Sequence, residues 1–109
     1  MKDADLIAQV EAEFKRGGIR EQHLVADGWH LDGLCDGQNI YVDPAPAIVE
    51  SLLHEVLHRR FPTWSESHVT RTAFRLLQKM DGPTVRRWYR RYQRMAIKSR
   101  RPHKVDEFE

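Results

Sequence analysis

The 109-residue chain contains one cysteine, Cys35, so an intramolecular disulfide is excluded. It also lacks any apolar run near the ~20 residues that a membrane-spanning helix requires. The acidic N-terminus has neither the basic nor the apolar region of a signal peptide, and a cytoplasmic location is the default expectation. Glycine and proline number 6 and 5, and most of them punctuate patterned segments. No acidic residue occurs between Asp81 and Asp106. Residues 1–57 hold 4 basic and 11 acidic residues, whereas residues 58–109 hold 14 and 5, so a formal net charge of +2 conceals a strongly polarised chain. Hydrophobic residues make up 40%, which fits one small globular domain whose core needs support from elsewhere, such as a bound metal.

Against these absences stands Leu53-His54-Glu55-Val56-Leu57-His58. Residues four apart lie on one helix face with Cβ atoms ~5 to 6 Å apart, so His54 and His58 can reach the same ion. Glu55 lies roughly 100° further round, beside the ion rather than on it. A carboxylate there can take the proton of a water activated by zinc as that water attacks a carbonyl. The pattern predicts one helix from Pro44 to Phe61, with Pro44 and Pro46 at its start and Pro62 after its end. Its apolar residues spread over about half the wheel, which predicts a buried helix with a polar stripe that needs partners.

A hydrolytic zinc takes three protein ligands and keeps one open position. Thr63 or Ser65 is a credible cap for a second helix running to about Met80 and ended by Gly82-Pro83. On its wheel Glu66 shares a face with Val69, Ala73, Leu76, Leu77 and Met80, whereas His68 falls opposite with Thr72, Arg75 and Lys79. Glu66 is the favoured third ligand, and His68 is the alternative.

With Leu52 through His58, then Pro62 and Ser65-Glu66, residues 24–80 resemble the small zincin-type metallopeptidase domains of bacteria and phages, akin to SprT-like and minimal gluzincin domains. That resemblance implies an active-site helix beside a small sheet, His54, His58 and Glu66 as zinc ligands, and Glu55 as general base. The glycine and third histidine of the metzincin pattern are absent, and Trp64 stands at that histidine's position.

Residues 1–18 form a predicted amphipathic helix with Leu6, Ile7, Val10 and Phe14 on one stripe, Asp3 as a cap and Gly17-Gly18 as the stop. An apolar stripe usually faces its own core, and binding of a partner is the alternative. Residues 19–43 contain β-type runs at 23–26, 29–35 and 38–42, separated by Asp27-Gly28 and Asp36-Gly37. They predict a three-stranded antiparallel meander packed on the zinc helix, with 39–42 as an edge that a substrate peptide joins as an added strand. His30 and Cys35 have no partner at ligand spacing and read as ordinary strand residues, as does Tyr41.

Residues 82–104 carry a basic helix and tail. Val85, Trp88, Tyr89, Tyr92, Met95 and Ala96 follow helical spacing, and Arg86, Arg87, Arg90, Arg91, Arg94 and Lys98 occupy the other face, followed by Arg100, Arg101 and Lys104. Such a face would bind nucleic acid through phosphates, and the alternatives are a solvated outer face or one that pairs with the acidic half of this chain or of a neighbour. The expected fold is a single α+β zincin-like domain. The expected activity is zinc-dependent hydrolysis of a peptide or protein substrate, the alternative a non-catalytic zinc-stabilised nucleic-acid-binding protein, and phosphodiester hydrolysis ranks last.

Overall fold

A computed structural model describes residues 1–26, 29–98 and 102, without the side chains of residues 26 and 29. The chain is α+β, with four helices and a small mixed sheet: α1 Asp3–Lys15, β1 Ile19–Glu21, β2 Val25–Ala26, β3 Trp29–His30, β4 Gly33–Cys35, β5 Ile40–Val42, α2 Ala45–Arg60, α3 Glu66–Lys79 and α4 Gly82–Met95. The expected turn at 27–28 and the basic residues Arg100, Arg101 and Lys104 lie outside the described residues.

The helix boundaries follow local chemistry. Pro44 precedes α2, Pro46 sits in its first turn, and Phe61 closes it by donating its N–H to the Leu57 carbonyl. The Ser65 hydroxyl caps α3 by accepting from the His68 N–H at 3.1 Å. The Asp81 carboxylate does the same for α4, accepting from the Thr84 N–H at 2.8 Å. Hydrogen bonding from Thr84, its side chain first and its N–H second, holds the Asp81 carboxyl below its ordinary range. Gly82-Pro83 therefore opens α4, which ends at Met95 and leaves Lys98 beyond the helix.

The core is helical. Ala45, Val49 and Leu53 of α2 pack with Ala73 and Leu77 of α3 and Val85 of α4, bordered by Leu57, Leu76, Met80 and Tyr89. The 4-residue spacing of the α2 trio puts them on one stripe, and α2 lies against both α3 and α4. The expectation that α2 is buried on most sides fails, because Val56 is exposed and Ile48 and Leu52 are half-buried. On α3, Thr72 is buried although its wheel position predicts an outward face.

The β region corrects the expected meander. β5 is central, parallel to β1 and antiparallel to β4, while β2 and β3 form a separate two-stranded ribbon. The 29–35 run breaks at Leu31-Asp32, where the Asp32 carbonyl accepts the Asp43 N–H at 2.9 Å. The parallel partner Ile19–Glu21 becomes possible because Gly17 and Gly18 turn the chain out of α1 with φ of 78° and 72°. A Cβ on Gly18 would also meet the Asn39 side chain at 3.1 Å. Both edges of β5 are thus occupied, and a peptide cannot add along 39–42. β1 and β4 are wholly exposed and β5 nearly so, and the sheet contributes nothing to the helical core. α1 likewise buries none of its residues, contrary to a packing role, and its cap position is Lys2 rather than Asp3.

One buried carboxylate joins the strands to the helices. Asp43 is 5% exposed, and its two oxygens accept the N–H groups of Leu24 at 2.9 Å and Ala45 at 3.0 Å, with His23 Nδ1 3.5 Å away. An aspartate two residues before the bonded N–H is an Asx turn, and here it fixes where α2 begins. Across the molecule, His30 Nε2 hydrogen-bonds the Met80 carbonyl at 2.6 Å and ties β3 to the end of α3. Asp43→Ala strands two backbone donors, at an expected cost of about 2–3 kcal/mol. Urea denaturation measures it, and a loss below about 0.5 kcal/mol contradicts the anchoring role.

Candidate metal centre

His54 and His58 project from α2 one helical turn apart, their ring centroids 4.8 Å from each other. Glu66 begins α3, and its carboxylate bridges them: Oε1 lies 2.8 Å from His54 Nε2 and Oε2 lies 2.6 Å from His58 Nε2. The three donor atoms fall within 4.8 Å of one another. The loop between the helices sets this approach. The Trp64 N–H donates to the Phe61 carbonyl at 3.1 Å, and the two rings stack with centroids 4.3 Å apart at an interplanar angle of 8°. That tight turn brings the first turn of α3 over the last turn of α2.

Glu66 is not drawn into the core as its wheel position suggests. Its side chain is 70% exposed, while those of His54 and His58 are 20% and 31% exposed. The carboxylate is therefore held by the imidazoles from the solvent side. The hydrogen bond from His58, reinforced by the charges of His54 and His58, holds the Glu66 carboxyl below its ordinary value of 4.5. His68 takes no part in this contact. Its ring stands edge-on to Trp64 at 4.2 Å, half-buried, and its N–H serves the Ser65 cap.

Glu55 is exposed and makes no side-chain hydrogen bond or ion pair among the described residues. It lines a small concavity with Ala47, Glu50, Ser51 and His54. It also lines a larger groove of about 890 Å³ between α2 and α4, together with Leu52, Val56 and His58 from α2 and Trp88, Tyr92 and Met95 from α4. Tyr41 is directed elsewhere, donating its hydroxyl to Asp36 at 3.4 Å, and Cys35 is free and exposed.

No protein-family model, curated protein or solved structure matches the chain. The chemistry of the centre accordingly rests on its own residues. Two imidazole nitrogens and one carboxylate oxygen are a zinc donor set that leaves a fourth position open. Bond lengths of ~2.0 to 2.1 Å place tetrahedral ligands roughly 3.3 Å apart. The observed 2.8 and 2.6 Å are shorter, because hydrogen bonds join the groups directly. An exposed glutamate in a first helical turn can withdraw by half an ångström without disturbing the core, and the span of up to 4.8 Å among the donor atoms closes by rotation of the imidazoles, so the three residues could hold an ion. With Glu66 ionised, each Nε2–H donates to one carboxylate oxygen, and an ion at this place would be held by the Nε2 lone pairs of the other tautomer, the ring proton then sitting on Nδ1.

Asp43 is the structurally decisive residue that motif reading passed over, although an aspartate directly before Pro44 is a recognisable turn signal. For Glu66, the sign of its linkage is that of a lowered carboxyl: the contact contributes stability above the unfolded value near 4.5 and loses it as pH falls through the lower folded value. Carbon-detected NMR titration of the metal-free protein should place Glu66 below 4.5 and His58→Ala should move it upward. A Glu66 midpoint indifferent to His58→Ala contradicts the bridging contact.

Proposed function

We propose that the chain is a zinc-dependent peptidase of zincin-like type, with His54, His58 and Glu66 holding the ion and Glu55 acting as general base. The observation that carries this reading is the convergence of both imidazoles on one carboxylate of the following helix, with the intervening glutamate left unpaired beside them. A zinc ion bound there would supply a lowered water pKa and a Lewis acid for a substrate carbonyl. Glu55 takes a proton from the attacking water and delivers it to the departing amine, so one residue serves as base and then acid. Its position between two concavities leaves its carboxylate open to substrate from either side. His54 and His58 are held by their shared helix, and Glu66 is positioned by the Ser65 cap and the Phe61–Trp64 stack.

A second reading rests on α4. Arg87, Arg90, Arg91 and Arg94 are exposed, and none forms an ion pair among the described residues. With the half-buried Arg86 they make a cationic face suited to phosphate contacts with nucleic acid, and the zinc centre would then be structural.

Glu55→Gln separates the two readings, since it removes the base and keeps the shape. Peptide hydrolysis should fall by at least about 100-fold, as expected for loss of a general base, while zinc content, folding and any nucleic-acid retention stay unchanged. Unchanged hydrolysis in Glu55→Gln contradicts the peptidase mechanism.

A further inference from the structure

α1 and the α2–α4 groove are both apolar, both uncovered and opposite in charge. On α1, Leu6, Ile7, Val10 and Phe14 are 48 to 66% exposed. With Leu6 at zero on the wheel they span about 100°, and Glu13 and Glu11 flank that arc on its two sides. The helix also carries Asp3 and Asp5 in its first turn. The groove is floored by Leu52, Val56, Trp88, Tyr92 and Met95 and bordered by Arg59 on α2 and Arg91 on α4. Val56, Trp88 and Met95 are 37 to 70% exposed.

The dimensions are similar. Leu6 to Phe14 rises about 12 Å along α1, and Trp88 to Met95 rises about 10 Å along α4. Within its own chain α1 buries nothing.

We infer that the groove receives α1 of a second copy of this chain, Arg59 and Arg91 facing Glu11 and Glu13 while the apolar stripe covers Val56, Trp88 and Met95. Two-fold symmetry makes the exchange reciprocal, so each copy gives one helix and accepts one, and the assembly closes as a dimer. This is an amphipathic helix in an apolar groove with a charged rim, in which the apolar contact supplies affinity and the charges set orientation. The pair between Glu13 of α1 and Arg16 just past its end, exposed on both sides with N–O 2.9 Å, is weakly held and yields readily to a groove arginine. Because Glu55 and His58 form part of the groove wall, the docked helix lies over them and narrows access to the metal centre. The interface is inferred without reference to the metal, so its failure leaves the peptidase reading untouched.

Sedimentation equilibrium of the full chain tests it. Wild type should approach twice the 12.9 kDa chain mass as concentration rises to about 100 µM. Phe14→Asp, at an exposed position outside the core, should remain folded by circular dichroism and become monomeric. The pair Glu11→Arg/Glu13→Arg and the pair Arg59→Glu/Arg91→Glu should each weaken self-association at least about tenfold. Mixing the two double variants should restore a mixed dimer, because both of its contacts again join opposite charges. A monomeric wild type overturns the inference, whatever fills the groove, as does a dimer unaffected by Phe14→Asp or a mixture that gains nothing over its components.

Discussion

The bridge from one carboxylate to two imidazoles is the interaction on which the candidate metal centre depends. It joins α2 to α3 at the solvent edge, where the helical core no longer holds them together. Its strength comes from short hydrogen bonds to an ionised group, and its weakness from exposure, which screens the charges. A divalent ion between the three side chains would convert a pH-sensitive contact into coordination bonds. Zinc would then be both the reactive centre and a staple between helices, which suits a chain with so few fully buried apolar residues.

The same division of labour runs through the fold. Val49, Leu53, Ala73, Leu77 and Val85 provide the packed interior, while polar anchors set where each segment meets it. Asp43 fixes the start of α2 and the end of β5, His30 ties the ribbon to the end of α3, and Ser65 and Asp81 cap α3 and α4. The sheet stays outside the core. Its role is to carry the chain from α1 to Asp43, and the concavities beside Glu55 are lined by helical residues, with Ala96 just past the end of α4.

What was legible in the residues was what depends on near neighbours. Pro44 and Pro46, Pro62 and Ser65 mark helix ends through effects confined to a turn, and the α2 and α3 limits lie within a residue or two of the expected ones. The Asp36-Gly37 turn is likewise local: Asp36 accepts the N–H groups of Gln38 and Asn39, and Gly37 takes a φ of 94°. The parallel pairing of Ile19–Glu21 with Ile40–Val42 was not legible, since three exposed residues without alternation carry no register. Burial on α1 failed for another reason. Its stripe is unmistakable on the wheel, but periodicity states only that a helix has an apolar face and not that its own chain supplies the cover. Spacing identified His54, Glu55 and His58 as a group. The seat of Glu66 against both imidazoles required the Phe61–Trp64 stack, which no periodicity contains.

Metal content after purification without chelator tests the central claim most directly, compared between wild type, Glu66→Ala and His68→Ala. About one zinc per chain in wild type and His68→Ala, with loss in Glu66→Ala, is the result that the bridging geometry predicts. A wild type that holds no zinc even after reconstitution contradicts the claim, and loss confined to His68→Ala contradicts the role assigned to Glu66.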